Sequence, residues 1–383
     1  MFLRPDLDEL LACNQHPCVS LYLPTHPAGR EVRQDAIRLR KLLSTAAKRL
    51  ATGRRGGAVD ELLEPARKLV DDQEFWRYQD RGLALFLAPG FDRVHKLPVE
   101  VDEALAIGRH FRIKPLLSLL DQAGPFRVLT VSAGRTRLYQ GSHWTFAEMR
   151  GLDLPQGIQD VRDETVYQPT DQSVPVSRTR RGAAGFAQAQ AYVSPEELHK
   201  DQLIELLRRV IGAVEPAIKR DSAPVILAAT PEIQGNFREL AHWKQLLPSG
   251  ILENPDAMAS EELHKKAWRL IEPRQERIRA DALGRLESLL GTGNGKATAK
   301  PEEIVKAAHY GRVDQLFLAD GATLWGRFDE AKDKVVAHGE SAPDDDDLFD
   351  YAALLTLRQR GDVMLVDRAQ LPPNGPAAAI LRY

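Results

Sequence analysis

Short apolar runs bounded by Gly, Pro or Asp alternate with longer segments of helical period along this chain. The predicted strands are 18–24, 82–89, 126–132, 135–141, 224–230, 313–320, 323–329, 362–367 and 378–383. The predicted helices lie near 31–51, 195–219, 234–247, 260–290, 301–310 and 347–360. This alternation predicts an α/β protein with mixed sheets flanked by helices.

Turn-forming residues predict where the chain divides into domains. Gly124-Pro125 stops a helix before a new pair of strands begins, and turn formers are frequent in 246–258. A chain of 383 residues, at roughly 150 residues per domain, is long enough for two or three domains. We expect three, at 1–122, 123–252 and 253–383.

The composition is that of a globular protein, with 43% hydrophobic and 28% charged residues. The formal net charge of −2 gives no general attraction to nucleic acids or anionic membranes, so a polyanionic partner must meet a local basic surface. No apolar run approaches the roughly 20 residues that span a bilayer, and the first residues are acidic where a signal peptide is basic. We therefore expect a cytoplasmic protein with no membrane partner.

Several motifs are incomplete. In 291–298 the glycine that a phosphate-binding loop requires five residues before Gly295 is Leu290, and Ala297 replaces the Ser or Thr after the lysine. The histidines never take a metal-binding spacing, and Cys13 and Cys18 are too few for a zinc site or a disulfide framework. We expect no metal, no cofactor and no DNA partner.

The segment 178–192, RTRRGAAGFAQAQAY, has too little apolar bulk to anchor itself in a core. Its composition leaves two interpretations open, a spacer or a loop that is presented to another molecule.

The predicted helix 31–51 could carry a basic surface. The basic residues that can share one face are Arg30, Arg33, Arg40 and Lys41. The buried stripe that we expect opposite them contains Val32, Ala36, Leu39 and Leu43. Such a face could lie along RNA phosphates, or it could simply be solvated.

Five collinear blocks, which together span nearly the whole chain, resemble bacterial proteins related to the archaeo-eukaryotic peptide chain release factor and to Pelota. The blocks are 20–43, 71–91, 126–141, 307–329 and 376–383. The resemblance implies a decoding-like first domain, a central domain that reaches the peptidyl-transferase centre, and a C-terminal α/β/α domain related to kink-turn RNA-binding ribosomal proteins.

In that family a Gly-Gly-Gln loop follows the strand pair of the central domain and precedes its long helix, and 178–192 occupies this place. The resemblance implies that glycines let the backbone approach the peptidyl-tRNA ester and that a glutamine amide positions water there. The implied catalytic residues are Gly182, Gly185, Gln188 and Gln190. The implied contacts to rRNA and tRNA phosphates are Arg178, Arg180 and Arg181. The ribosome is the implied partner.

Two departures from the family pattern narrow the expected function. Gly182 is followed by Ala183 and Ala184 rather than by Gly-Gln. Residues 34–39 continue a helical pattern where release factors carry an Asn-Ile-Lys-Ser element for reading stop codons. We expect a ribosome-associated rescue-type factor that hydrolyses peptidyl-tRNA without reading stop codons. The alternatives are a non-catalytic ribosome or RNA-binding adaptor of the same fold and a protein-interaction scaffold.

Overall fold

The computed structural model of the protein describes residues 2, 4–27, 32–51, 56–119, 124–161, 195–338, 345–373 and 375–383. Several sheets flanked by helices make up this part of the chain, so the predicted α/β class is confirmed. Contacts divide the chain into two units. The first contains Met1–Ala123, His143–Thr145 and Gln275–Tyr383, and the second contains Gly124–Ser142 and Phe146–Arg274. The division into three domains stays a prediction.

The N-terminal part of the first unit is built on an antiparallel sheet of four strands in the order β3-β2-β1-β4. The strands are β1 (Cys18–Pro24), β2 (Gly82–Ala88), β3 (Phe91–Leu97) and β4 (Ala104–Gly108). The helices are α1 (Arg4–Ala12), α2 (Val32–Ala51), α3 (Gly56–Val70), α4 (Gln73–Arg77) and α5 (Lys114–Leu117).

The two central strands of this sheet are apolar on both faces because both faces are covered. On one face Leu21 and Leu85 pack in a cluster with Leu39 of α2 and Leu63 of α3. On the other face the side chains of the alternate positions join the core shared with the C-terminal segment. A strand covered on both faces is expected to be a continuous apolar run.

The second unit surrounds a sheet in the order β7-β6-β5-β8. Its strands are β5 (Phe126–Val131), β6 (Thr136–Gly141), β7 (Phe146–Glu148) and β8 (Val225–Ala228), with β5 and β8 parallel. A parallel pair needs a long crossover, which here contains helix α6 (Pro195–Ile218). Helices α6 and α7 (Pro231–Leu240) cover one face, and Leu263, Ala267 and Ile271 of α8 (Ser260–Thr292) cover the other.

The prediction of a helix over 234–247 is wrong at both ends. Helix α7 begins at Pro231, where the fixed backbone of proline suits the first turn, and it ends at Leu240. Ala241 and Trp243 beyond it are buried without a helix, because the chain continues beside β8. There the backbone N–H of Leu247 donates to Val225 O at 2.8 Å.

The C-terminal part of the first unit contains a second four-stranded sheet in the order β14-β10-β15-β9. Its strands are β9 (Ala297–Thr298), β10 (Val313–Ala319), β14 (Asp362–Val366) and β15 (Ala377–Leu381). Helices α9 (Pro301–His309) and α10 (Leu348–Arg358) pack on one face. Ala282 and Leu286 of α8 pack on the other. A small sheet of β12 (Lys334–His338), β11 (Trp325–Asp329) and β13 (Asp346–Asp347) lies beside them.

A buried ionic network joins the N-terminal and C-terminal parts of the first unit. Asp350 of α10 accepts hydrogen bonds from the backbone N–H groups of Ile113 and Lys114 at 2.9 and 2.5 Å, which satisfies the start of α5. The Lys114 ammonium bonds to Asp347 and to the carbonyl of Ala322. Asp347 also caps α10 by accepting from the Phe349 N–H.

Burial raises the pKa of Asp350 to about 7, and the Asp347 carboxylate adds to the rise, although the Lys114 backbone and ammonium oppose it. The folded state therefore holds a proton that the unfolded chain releases near pH 4. We expect the free energy of unfolding to fall by at most about 4 kcal/mol between about pH 4 and pH 7. Urea denaturation over a pH series measures this profile.

Asp350→Asn keeps a neutral acceptor in place, so we expect a flatter stability profile in this variant. Asp92→Asn, which changes an exposed carboxylate on β3, is the matched control and should keep the wild-type slope. An Asp350→Asn profile as steep as that of the wild type would contradict this assignment.

The second unit contains a bidentate ion pair. The two terminal nitrogens of Arg127 donate to the two oxygens of Asp221 at 2.8 and 2.7 Å, and the Arg127 side chain is only 5% exposed. Burial favours the neutral carboxyl, but the hydrogen bonds from Arg127 and from the Ala223 N–H outweigh it and hold the pKa of Asp221 below its ordinary value.

We expect Asp221→Ala to lower the free energy of unfolding by about 2 kcal/mol at pH 7, because a buried guanidinium loses its partner. A carboxylate with a lowered pKa stabilises the fold above its unfolded pKa, so the difference should shrink only below about pH 4. Glu215→Ala removes an exposed pair with Lys219 at 3.0 Å and should cost under about 0.5 kcal/mol. Equal losses in the two variants, measured by urea denaturation, would refute the prediction.

Candidate functional site

The predicted loop site lies outside the described residues. This holds for all of its members, Arg178, Arg180, Arg181, Gly182, Gly185, Gln188 and Gln190. Arg30 also lies outside them. Arg33 belongs to helix α2, but its side chain is not part of the described structure.

Both flanks of this segment are anchored in the core of the second unit. Before it, the Ile158 N–H donates to Ala133 O at 2.9 Å in the β5–β6 turn, and Ile158 and Val161 are buried. After it, Leu203 of α6 is buried in the same cluster. The chain between Val161 and Leu203 therefore starts and ends on the same unit.

Helix α2 is amphipathic as predicted. Leu39 and Leu43 are buried and Ala36 packs against the same cluster. On the other side Arg40 is exposed and pairs with exposed Asp71 at 3.0 Å. Lys41 is exposed, and the described residues contain no ion pair of its ammonium. The structure therefore places these two predicted RNA-binding cations on one solvent-facing surface.

A buried carboxylate fixes the start of this helix. Asp35, fully buried, accepts hydrogen bonds from the backbone N–H of His26 at 3.0 Å and from Arg38 at 3.3 Å. The His26 Nδ1 lies 3.0 Å from the same carboxylate. Residues 34–39 are thus held in a continuous helix rather than in an open loop.

The first unit contains a cavity of about 560 Å³ that sequence reasoning missed. Its walls come from four segments, within 16–17, 107–110, 327–330 and 346–351. Gly108, the last residue of β4, faces Asp346 of β13. A Cβ on Gly108 would lie 2.4 Å from Asp346 Oδ1, so the absence of a side chain allows this carboxylate to line the cavity.

Aromatic rings form another side of the cavity. The imidazole of His110 stacks on the ring of Tyr351 with centroids 5.3 Å apart and planes at 26°. The Tyr351 hydroxyl lies 3.0 Å from His309 Nδ1, and the His309 ring packs against Phe328 at 4.6 Å. These contacts fix the orientation of Tyr351 and Phe328, which both line the cavity.

Burial sets the protonation of two cavity residues. It lowers the pKa of His110 to about 4, helped by Arg358, His16 and Arg109, so this imidazole is neutral at neutral pH. Burial also raises the pKa of Asp346, although the positive charges of Arg109 and Arg327 oppose the rise. The cavity therefore offers a neutral imidazole, and Asp346 adds carboxyl oxygens that can accept hydrogen bonds.

Cations stand at the rim of this cavity. Arg109 is exposed, and no hydrogen bond or ion pair of its side chain occurs within the described ranges. Arg327 is about half exposed and its Nε lies 3.4 Å from Asp345 Oδ1. No sequence signal could have linked these residues, because four distant segments meet only in the folded unit.

The two cysteines are free, and Cys18 is buried. Burial raises the pKa of Cys18 to about 12, with Cys13 adding to the rise, so its thiol stays protonated. The described residues contain no cluster of side chains able to hold a metal ion. We also find among them no helix that combines the length and the apolar character needed to span a membrane.

Several solved structures resemble this chain at low identity. The archaeal translation termination factor aRF1 is 15% identical over 98% of this chain and 96% of its own, with a TM-score of 0.23. Ribosome-bound archaeal Pelota is 13% identical over 79% of this chain and 77% of its own, with a TM-score of 0.36. Dom34 of S. cerevisiae is 12% identical over 79% of this chain and 74% of its own, with a TM-score of 0.33. TM-scores this low do not establish a common arrangement of elements.

No curated protein matches this chain significantly. A family model does match it, over residues 125–312, from the first strand of the second unit to the start of β10. The model describes bacterial archaeo-eukaryotic release factor family 3. Residues 125–312 of this chain therefore match the bacterial archaeo-eukaryotic release factors, and the resemblance inferred from the sequence is confirmed.

Proposed function

We propose that this protein is a ribosome-associated factor of the release and rescue type that hydrolyses the peptidyl-tRNA ester without reading stop codons. The observation that carries the proposal is the family match over 125–312, which encloses the whole segment 178–192. Arg178, Arg180 and Arg181 supply positive charge for rRNA and tRNA phosphates, and Gly182 and Gly185 reduce side-chain bulk around them.

The anchoring of the flanks supports this proposal. Both ends of the segment attach to one core, through Val161 and Leu203, so the second unit can carry it as a single element. Such an element needs to contribute only one catalytic group. A glutamine amide at Gln188 or Gln190 has to orient water and stabilise the developing oxyanion, while the ribosome supplies the rest of the site.

The structure of α2 supports the absence of stop-codon reading. A codon-reading element needs side chains that can reach bases, but Asp35 is fully buried and bonded to His26 and Arg38. Residues 34–39 continue as helix into the rest of α2. The exposed cations Arg40 and Lys41 suit contact with the RNA backbone, which carries no codon information.

We expect the purified chain to release labelled peptide from stalled ribosomal complexes, and the double variant Gln188→Ala with Gln190→Ala to release it at least about tenfold more slowly. The measurement is the rate of peptide release, with complexes that carry a sense codon and complexes that carry a stop codon in the decoding site. Equal rates on the two complexes are expected.

Gln202→Ala is the matched control, because it changes a glutamine of α6 outside the segment and should leave the rate unchanged. Release no faster than background by the wild type would exclude hydrolysis. A rate that the double variant does not lower would exclude a role for these glutamines.

The second candidate is a non-catalytic ribosome or RNA-binding adaptor of the same fold. The observation that favours it is the sequence Gly182-Ala183-Ala184, which lacks the Gly-Gly-Gln of the family loop. An alanine in a conformation that needs positive φ costs on the order of 1 kcal/mol, so the substitution can change the loop geometry without preventing folding. Such an adaptor would bind ribosomes and release nothing.

Ribosome co-sedimentation tests the association that both candidates share. We expect binding to weaken as the salt concentration rises, and Lys41→Ala to reduce the slope of log affinity against log salt by about 1, because one phosphate contact is lost. Lys334→Ala removes an exposed lysine of β12 and should leave the slope unchanged. Absence of co-sedimentation at low salt would exclude both candidate functions and favour a protein-interaction scaffold.

A further inference from the structure

The cavity of the first unit plays no part in the proposed ester hydrolysis, and it has the properties of a small-molecule site. Its volume of about 560 Å³ falls within the range of roughly 300–1,000 Å³ that ligand pockets occupy. Its lining combines apolar and aromatic residues with charged and polar ones.

Two polar groups of the cavity are available to a ligand. The Nδ1 atom of His110 is buried and has no hydrogen-bond partner within the described part of the chain. Buried polar atoms usually have a partner, so a ligand that bonds here would gain a contact that the fold leaves open. Arg109 at the rim presents a planar guanidinium fork, which matches the geometry of a phosphate.

Two aromatic rings of the cavity wall are held in fixed orientations. Tyr351 is fixed by its stacking on His110 and by its contact with His309, and Phe328 is fixed by the His309 ring. Rings held in this way offer an apolar lining to an aromatic ligand at little entropic cost. Asp346, brought close by Gly108, offers a carboxylate that accepts hydrogen bonds from an amino group.

The charge of the site limits the charge of the ligand. The lining residues include two arginines, Arg109 and Arg327. They also include two acidic residues, Asp346 and Glu330. A triphosphate would bring more negative charge than these groups can balance. A single phosphate group, held at Arg109, brings less negative charge into the cavity.

We propose that this cavity binds one nucleotide, with its phosphate at Arg109 and its base against Tyr351, and that Asp346 selects bases that carry an exocyclic amino group. Adenine, cytosine and guanine can donate from such a group to a carboxylate, whereas uracil presents no amino donor. The nucleotide can be a free nucleoside monophosphate or a single unstacked nucleotide of an RNA strand, because both present the same base and phosphate.

Isothermal titration calorimetry of the full chain tests the proposal with AMP, CMP, GMP, UMP, adenosine and inorganic phosphate. We expect AMP, CMP or GMP to bind at least about tenfold more tightly than UMP, which corresponds to about 1.4 kcal/mol. Adenosine and inorganic phosphate should each bind more weakly than AMP, because each keeps only one of the two contacts.

Two variants report on the two contacts. Arg109→Ala should weaken every nucleotide about tenfold, since it removes the phosphate contact but leaves the base contacts. Asp346→Asn should abolish the preference over UMP, because an amide can accept from an amino group and also donate to the O4 carbonyl of uracil. The control Arg67→Ala, on α3 outside the cavity, removes one guanidinium and should leave both the affinity and the preference over UMP unchanged.

A second arm distinguishes the two sources of the nucleotide. If single-stranded oligoadenylate binds much more tightly than AMP, and Arg109→Ala weakens both, the natural ligand is a nucleotide of RNA. If AMP binds as tightly as the oligonucleotide, the ligand is a free nucleotide.

The proposal is wrong if none of the nucleotides binds at millimolar concentration. It is equally wrong if inorganic phosphate binds as tightly as AMP, or if Arg109→Ala and Asp346→Asn leave both affinity and preference unchanged. Each variant is first compared with the wild type by thermal unfolding, and Arg109→Gln replaces Arg109→Ala if that variant does not fold. The outcome is separate from the release assay, because peptide release can fail while the nucleotide still binds.

Discussion

The first unit depends on a core that two distant parts of the chain share. Tyr22, Phe86 and Phe111 of the N-terminal part lie in one buried cluster with Ala352 and Leu354 of α10. The Tyr22 hydroxyl donates to Arg112 O, and Asp350 accepts from the backbone next to it, so the shared core is closed by polar contacts that are themselves buried. Because an unpaired buried polar group costs free energy, neither part can keep this arrangement without the other.

The cavity follows from the same constraint. Strand β4 ends at Gly108 and β13 begins at Asp346, and the shared core holds these two strand ends against each other. Phe111 is buried three residues after Gly108, and Phe349 is buried three residues after Asp346. The groups that line the cavity are therefore positioned by well-packed neighbours rather than by flexible loops, which is the condition for a precise binding site.

Much of the fold could be predicted because its central strands are apolar on both faces. Strands β1, β2, β5 and β10 coincide with predicted runs for this reason. Edge strand β3 was missed because it exposes Asp92, Arg93 and Val94. Its polar residues interrupt the alternation of apolar and polar positions by which a strand is recognised. Helix α3, which contains Pro65, was also missed.

The two candidate sites, the segment 178–192 and the cavity, differ in whether the sequence alone could reveal them. The segment 178–192 was singled out by its composition and by the order of elements around it, and both are local properties. The cavity could not be found in this way, since His16, Arg109, Arg327 and Tyr351 are separated by long stretches of chain and carry no common motif. Helix α10 itself was predicted, but no pattern in the sequence tells which strand ends it meets.

The shared core also has a consequence for biosynthesis. A nascent chain exposes the face of β1 and β2 that bears Tyr22 and Phe86 until α10 has been made, and the whole second unit must be translated in between. At about 5–20 residues per second, that interval lasts on the order of 10–60 s. The second unit can fold as it emerges from the ribosome. The first unit cannot complete its core until α10 has been made. We therefore expect a holdase chaperone to bind the nascent chain during this interval.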